Sequence, residues 1–127
     1  MLEVVLVVLA AYLWGAVPWS YLAARYIKGI DLRDYGSGNV GASNLMKQLG
    51  LRTGIAVGTV DCLVKGTLPV VAAKALDQSL AVQVGVGVAV IAGHNWSVYI
   101  GFTGGRGLAT SMGVLFGQML WVELLAW

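Results

Sequence analysis

The fold is decided by an apolar run at residues 2–24, LEVVLVVLAAYLWGAVPWSYLAA, in which Glu3 is the single charge. About 20 apolar residues are enough for a helix to cross a bilayer. No basic segment precedes this run, and it is longer than the apolar core of a signal peptide. We therefore predict a retained membrane helix rather than a cleaved leader.

The composition extends this prediction to the whole chain of 127 residues. Hydrophobic residues make up 58% and charged residues 11% of the sequence, and the mean hydropathy is +0.80. A soluble domain has about 25% charged residues. Further apolar runs cover residues 55–76, 80–102 and 108–127. We predict one all-α domain over residues 1–127, a polytopic membrane helix bundle with about four transmembrane helices and glycine-rich cytoplasmic loops.

Basic residues give this bundle an orientation. Lys and Arg are concentrated in the segment between the first two apolar runs, at Arg25, Lys28, Arg33, Lys47 and Arg52. Loops rich in Lys and Arg stay in the cytoplasm. We therefore expect the N-terminus outside and residues 104–107 inside, on the same side as the first loop. The net charge of +2 gives no reason to expect a nucleic-acid partner.

The first loop carries a polar glycine-rich run, GSGNVGASN, at residues 36–44. Glycines let backbone N–H groups close around an anion. Ser37, Asn39, Ser43 and Asn44 add hydroxyl and amide donors. The pattern favours a site for an oxygen-rich ligand, although turn chemistry alone would also allow a flexible connector.

A second run, Gly104-Gly105-Arg106-Gly107, directly precedes a predicted helix start at Leu108. Backbone amides, the positive end of the helix and the Arg106 guanidinium would converge there on an anion. The run lacks the spacing of a Walker motif, so it does not indicate a nucleotide-binding P-loop.

The second apolar run contains an acid and a base, Asp61 and Lys65, one helical turn apart. Ionisable groups at membrane depth usually face a polar cavity or bind one another, so the pair is either part of a functional site or a structural link between helices. Pro69 has no N–H to offer the carbonyl of Lys65. We therefore predict a bend near Gly66 and a free carbonyl there.

His94 is the one histidine of the chain. It could be a general base or, beside Trp96 and Tyr99, a hydrogen-bonded structural residue. Residue 99 is not aspartate, which excludes the His-x4-Asp mechanism that the soluble-loop type of glycerolipid acyltransferase uses. There is no Cys/His cluster with metal-ligand spacing, and Cys62 has no partner cysteine. We predict no metal, no cofactor and no internal disulfide.

Four motifs in order, residues 36–44, Asp61-x3-Lys65-Gly66 with Pro69, Gly93-His94 and residues 101–110, resemble the acyl-phosphate:glycerol-3-phosphate acyltransferase (PlsY) family of bacteria. The resemblance covers essentially the whole chain. It implies a multi-pass enzyme of the bacterial plasma membrane that transfers a fatty acyl group from acyl phosphate to the sn-1 hydroxyl of glycerol 3-phosphate. The products would be lysophosphatidic acid and inorganic phosphate, the first step of phospholipid synthesis.

The resemblance also implies roles for individual residues. Ser37 and Asn39 would bind glycerol 3-phosphate or acyl phosphate, and Asn44 would support their loop. Ser37 has no adjacent histidine in sequence, which favours binding over nucleophilic attack. The proton acceptor would be a substrate phosphate or His94. The candidate catalytic residues are Ser37 and His94, and the candidate substrate-binding residues are Ser37, Asn39, Asn44, Lys47, Lys65, Gly104, Gly105, Arg106 and Gly107.

The chain departs from the family pattern at several positions. Arg106 stands where the family has lysine, Lys47 where it has arginine, and Ser97 where it has proline. Both basic exchanges keep the charge but change the geometry of a phosphate contact. The family typically has seven helices and a later motif with His, Asn and Glu. We therefore expect an N-terminal portion or a short member that lacks C-terminal helices and shows little transfer on its own.

Two other classes of protein remain open from the residues alone. A transporter or channel segment could use glycine-broken helices to line a path for a phosphate compound. The absence of an inverted repeat between residues 2–52 and 80–127 counts against it. A non-catalytic membrane fragment or assembly partner is the other alternative. Phosphate release from acyl phosphate that depends on glycerol 3-phosphate separates the three.

Overall fold

The computed structural model describes the backbone of residues 1–125 and the side chains of residues 1–120. The last two residues of the predicted fourth span, Ala126 and Trp127, lie outside the described residues. The structure is helical, as predicted. Its elements are α1 (Leu2–Gly15), α2 (Trp19–Lys28), α3 (Ala42–Leu49), α4 (Leu51–Thr59), a π-helical segment (Val60–Thr67), α5 (Leu68–Ala75), α6 (Leu80–Asn95) and α7 (Leu108–Leu125), with 3₁₀ turns at Leu32–Asp34 and Val98–Ile100.

Within residues 1–120, two helical stretches are long and apolar enough to cross a membrane. Leu2–Lys28 has 27 residues and joins α1 to α2, and Leu51–Ala75 has 25 residues and joins α4, the π segment and α5. The predicted third span, 80–102, is shorter than expected because α6 ends at Asn95 and a 3₁₀ turn follows. The helical bundle is therefore confirmed, while the number of transmembrane helices stays a prediction.

The core of the bundle consists of small aliphatic side chains from four helices. Because these residues are small, the helix axes approach closely, as is usual where apolar lipid replaces water outside the bundle. A second, smaller cluster, Ala24, Leu32 and Leu45, fixes the first loop against α2 and α3. The main cluster contains Ala11, Val70, Ala73, Val86, Ala89, Val90 and Val114.

Helices α1 and α6 touch backbone to backbone. A Cβ atom added at Gly15 would overlap the carbonyl of Val90, and one added at Gly93 would overlap the carbonyl of Tyr12. Only glycine fits at both crossings. This contact holds α6 against α1 at the residue directly before His94.

The π segment lies where the sequence predicted a bend. In the π register an N–H bonds to the carbonyl five residues before it, so Pro69 frees the carbonyl of Val64 rather than that of Lys65. The indole Nε1 of Trp14, on α1, donates to the Val64 carbonyl at 3.2 Å. The Thr67 hydroxyl donates to a carbonyl of α7, Gly113 O, at 2.9 Å. Neighbouring helices thus hold the widened turn.

Replacing Gly113 by alanine tests this contact between α7 and the π segment. The added Cβ would overlap the carbonyl oxygen of Cys62, and overpacking of this kind destabilises by about 1–3 kcal/mol. We expect a lower unfolding midpoint in detergent. The matched control is Gly85→Ala, whose Cβ would meet Val8 Cγ2 at an ordinary 3.7 Å. Equal midpoints for the two variants would show that α7 is free to shift.

Candidate active site

A polar cavity of about 300 Å³ lies where both glycine-rich runs meet. The first run ends 60 positions before the second begins, so the fold has brought them together. The loop after α2, the π segment, the end of α6 and the start of α7 all contribute to its walls. The cavity is lined by Asn39, Gly41, Ala42, Ser43, Asp61, His94, Arg106, Gly107, Leu108 and Ala109.

Asn44 holds the first glycine-rich loop from inside. Its side chain is 2% exposed, and its Nδ2 lies 3.3, 2.9 and 3.0 Å from the carbonyl oxygens of Leu32, Tyr35 and Asn39. A Cβ at Gly36, whose φ is +55°, would overlap the Asn44 amide oxygen. Asn44 therefore shapes the loop and does not line the cavity.

Ser37 and Asn39 lie two positions apart on this loop and differ in their exposure to solvent. Ser37 is exposed, and its Oγ accepts a hydrogen bond from the Asn39 backbone N–H at 3.3 Å. Asn39 is half-buried and lines the cavity. Lys47, on α3, is exposed and is not among the lining residues.

The N-termini of two helices point toward the cavity. Helix α3 starts at Ala42 after Gly41, with no side chain capping it. Helix α7 starts at Leu108 after Gly107, which has φ of +74°. The first N–H groups of a helix have no partner within it, and together with the helix dipole they favour an anion.

Arg106 brings a full positive charge to the same wall and is exposed. The two glycines before it have another role, since the Gly105 N–H donates to the His94 carbonyl at 3.1 Å. A Cβ at Gly104 would overlap that carbonyl, and one at Gly105 would overlap the His94 Nε2. Gly104 and Gly105 therefore pack against His94, whereas Gly107 reaches the cavity.

Asp61, Lys65 and His94 form a buried polar cluster at another part of the cavity wall. Lys65 Nζ lies 2.8 Å from Asp61 Oδ1 and 3.1 Å from His94 Nδ1. The predicted ion pair is therefore present, and its two side chains are each 2% exposed. Asp61 and His94 line the cavity and Lys65 lies behind them. Among the described residues no group of three or more His, Cys, Asp or Glu could hold a metal ion.

Sequence reasoning missed a further residue, Arg33, which joins the two loops. Its guanidinium bonds Asp31 Oδ2 at 2.7 Å, donates to the Ile100 carbonyl at 3.2 Å and lies 5.2 Å from the centre of the Tyr21 ring. Hydrogen bonds from Arg33 lower the pKa of Asp31 below its usual value, and those bonds raise the pKa of Arg33. In the sequence, Arg33 is one of several basic residues that indicate membrane orientation, and Asp31 two positions before it is the one local sign of this ion pair.

Together, the apolar helices and this cavity define a helical membrane protein whose polar site combines two helix N-termini, an arginine and a buried Asp-Lys-His cluster. Such a site can accept phosphate oxygens and can donate hydrogen bonds to them. The model of the glycerol-3-phosphate acyltransferase family matches residues 5–127. The chain therefore belongs to this family, which confirms the resemblance seen in its motifs.

Individual relatives agree with the family match. Glycerol-3-phosphate acyltransferase 5 of Dehalococcoides mccartyi is 50% identical over 110 residues, which cover 87% of this chain and 47% of the relative. The glycerol-3-phosphate acyltransferase of Endomicrobium trichonymphae is 37% identical, over 99% of this chain and 63% of its own. The chain thus spans about half the length of the first of these relatives.

A solved structure has the same fold. PlsY (YgiH), an integral membrane glycerol 3-phosphate acyltransferase crystallised in its glycerol 3-phosphate form, superposes with a TM-score of 0.79 at 36% identity. The match covers 98% of this chain and 66% of PlsY. The lysophosphatidic acid form superposes with a TM-score of 0.81. The chain is thus a multi-pass membrane protein.

Proposed function

We propose that this chain forms the phosphate-binding part of an acyltransferase that moves a fatty acyl group from acyl phosphate to the sn-1 hydroxyl of glycerol 3-phosphate. The carrying observation is the cavity in which two helix N-termini and Arg106 converge beside Asp61 and His94. Both proposed substrates bear phosphate, and the acyl donor brings a chain that membrane lipid would accommodate. Membership in the family supports the reaction type.

In the proposed reaction, the sn-1 hydroxyl oxygen attacks the carbonyl carbon of the acyl phosphate. The bond between that carbon and the bridging phosphate oxygen breaks, and phosphate leaves with the electron pair. The hydroxyl proton passes to a substrate phosphate oxygen or to His94. Because phosphate is already a good leaving group, positioning and charge neutralisation supply most of the acceleration. No cofactor or covalent acyl-enzyme takes part.

The residues divide into three proposed roles. Asn39, Arg106 and Gly107, with the amides that begin α3 and α7, bind phosphate oxygens. Ser37, exposed on its loop, and Lys47, exposed on α3, bind the ligand from outside the cavity lining. The third role is support from behind the cavity wall, and it belongs to Asn44, Lys65, Gly104 and Gly105.

The assay that tests this proposal follows phosphate release and lysophosphatidic acid formation together, in membranes from cells that express the chain joined to the C-terminal helices of a relative, with the chain alone in parallel. We expect both products in equal amounts from the joined protein, only when glycerol 3-phosphate and acyl phosphate are both present, and little transfer from the chain alone. Phosphate release without glycerol 3-phosphate would contradict acyl transfer. The same membranes carrying the Arg106→Ala variant serve as the low-activity control.

We also propose that the cavity opens to the cytoplasm, with the N-terminus outside. Single cysteines at Ser43 and Thr103, both exposed, introduced with Cys62→Ala, should resist an impermeant thiol reagent in intact cells and react after permeabilisation. A cysteine at Ser79, in the turn between α5 and α6, should react from outside. Labelling of Ser43 or Thr103 positions in intact cells would reverse the orientation.

A further inference from the structure

The Asp61-Lys65-His94 cluster contains one hydrogen bond that decides where the His94 proton lies. Lys65 Nζ is 3.1 Å from His94 Nδ1 and 2.8 Å from Asp61 Oδ1. A lysine ammonium has three N–H donors and no acceptor. An N–H on Nδ1 would therefore point at another donor, whereas a lone pair on Nδ1 accepts a hydrogen bond.

Charge balance in the cluster agrees with this assignment. The side chains of Asp61 and Lys65 are 2% exposed, and that of His94 is 7% exposed. One carboxylate and one ammonium neutralise each other, while an imidazolium would leave an unpaired buried cation. Asp61 Oδ1 does not hydrogen-bond such a cation, because it is 4.0 Å from His94 Nδ1, beyond hydrogen-bond length, and its charge is already paired with that of Lys65.

We infer that Lys65 is a positioning residue that keeps His94 neutral with its proton on Nε2. This inference deepens the proposed function, because it defines what His94 offers to a substrate. The imidazole lines the cavity, and its Nε2 lies beside the Gly105 backbone. His94 then donates a hydrogen bond to a ligand oxygen through Nε2.

In acyl transfer, His94 and the substrate then have different roles: His94 donates a hydrogen bond, and the substrate accepts the proton. An imidazole with the proton on Nε2 and its Nδ1 lone pair held by Lys65 has no free lone pair for the sn-1 hydroxyl proton. That proton therefore goes to a phosphate oxygen of a bound substrate. The Nε2–H stabilises the negative charge that builds on the carbonyl or phosphate oxygen as the C–O bond to phosphate breaks.

The test is nuclear magnetic resonance of the full chain in bilayers, without substrates. Because His94 is the one histidine in the sequence, ring-¹⁵N histidine gives one Nδ1 and one Nε2 signal. We expect a one-bond proton coupling on Nε2 and none on Nδ1. Coupling on Nδ1, alone or together with Nε2, would overturn the inference. The measurement needs no turnover, so a wrong tautomer in the spectrum would contradict this inference without contradicting acyl transfer.

The role of Lys65 is tested by exchanging the two charges, in the variant Asp61→Lys/Lys65→Glu. A carboxylate then faces Nδ1, and we expect the proton coupling to move completely from Nε2 to Nδ1. Retention on Nε2 would show that Lys65 does not set the tautomer. Lys74→Met is the control, since Lys74 donates to the carbonyls of Gly117 and Gln118 and is expected to leave the His94 signals unchanged.

A second variant covers the case in which the exchanged pair does not fold. In Asp61→Leu/Lys65→Met, apolar groups of similar volume replace both charged groups. Proteins often tolerate such a replacement of a buried ion pair. We expect the Nδ1 signal to shift to that of an unbonded nitrogen, with a new population protonated at Nδ1. A spectrum identical to that of the parent would overturn the assignment.

Discussion

Replacing Lys65 alone by methionine is expected to destabilise the protein by about 3–5 kcal/mol, the usual penalty for leaving one partner of a buried ion pair uncompensated. The Asp61 carboxylate, 2% exposed and 2.8 Å from the lysine nitrogen, would lose its cation. We expect unfolding at a lower denaturant concentration, followed by tryptophan fluorescence in mild detergent. His94 would also lose its bond at Nδ1.

The double variant Asp61→Leu/Lys65→Met separates the lost ion pair from lost packing. Because it removes both charges, we expect it to recover most of the stability that Lys65→Met loses. Lys74→Met removes another lysine of the same helical stretch, whose partners among the described residues are the carbonyls of Gly117 and Gln118 and not a carboxylate. We expect it to lower the free energy of unfolding less than Lys65→Met does. Equal destabilisation by Lys65→Met and the double variant would mean that the side-chain volume of Lys65, and not its charge, holds the cluster.

Arg106→Ala is expected to weaken glycerol 3-phosphate binding about 10- to 150-fold, while Arg106→Lys weakens it much less. A hydrogen bond between a charged group and phosphate contributes about 1.5–3 kcal/mol, and about 1.4 kcal/mol corresponds to a factor of ten in Kd. Lysine keeps the charge but loses the planar fork of arginine. Direct titration of glycerol 3-phosphate into the protein measures this without turnover.

Arg52→Ala is the matched control for Arg106. Arg52 is also an exposed arginine near the first loop, and it does not line the cavity. We expect its Kd for glycerol 3-phosphate to stay close to that of the parent. Similar losses for the two alanine variants would mean that general positive charge, and not a contact from Arg106, attracts the ligand.

Local patterns in the sequence were sufficient for several parts of this architecture. Apolar runs of membrane length predict helices, and the spacing of Asp61 and Lys65 predicts an ion pair, because both depend on neighbours within one or two turns. Two predicted membrane crossings between the glycine-rich runs put both runs on one side of the membrane, and in the structure both runs line one cavity. These predictions needed no knowledge of how the helices pack.

Contacts between distant residues explain what the sequence left undecided. Lys65 meets His94 across 29 positions, and Asp61, not Lys65, lines the cavity. Gly104 and Gly105 match the pattern of a phosphate-binding loop, yet the Gly105 N–H donates to the His94 carbonyl and is therefore not available to a phosphate. Only the crossing of α6 with the second loop determines which amides stay available.

The hydrogen bond from Trp14 to the Val64 carbonyl has a consequence for how the chain assembles in a bilayer. Within hydrocarbon, a backbone carbonyl without a partner is unfavourable by several kcal/mol. The stretch 51–75 on its own would carry that exposed carbonyl into lipid, since Pro69 cannot satisfy it. A side chain of the preceding helix therefore supplies the hydrogen bond that this stretch lacks on its own. The second stretch reaches its final state in the bilayer only when α1 is already beside it.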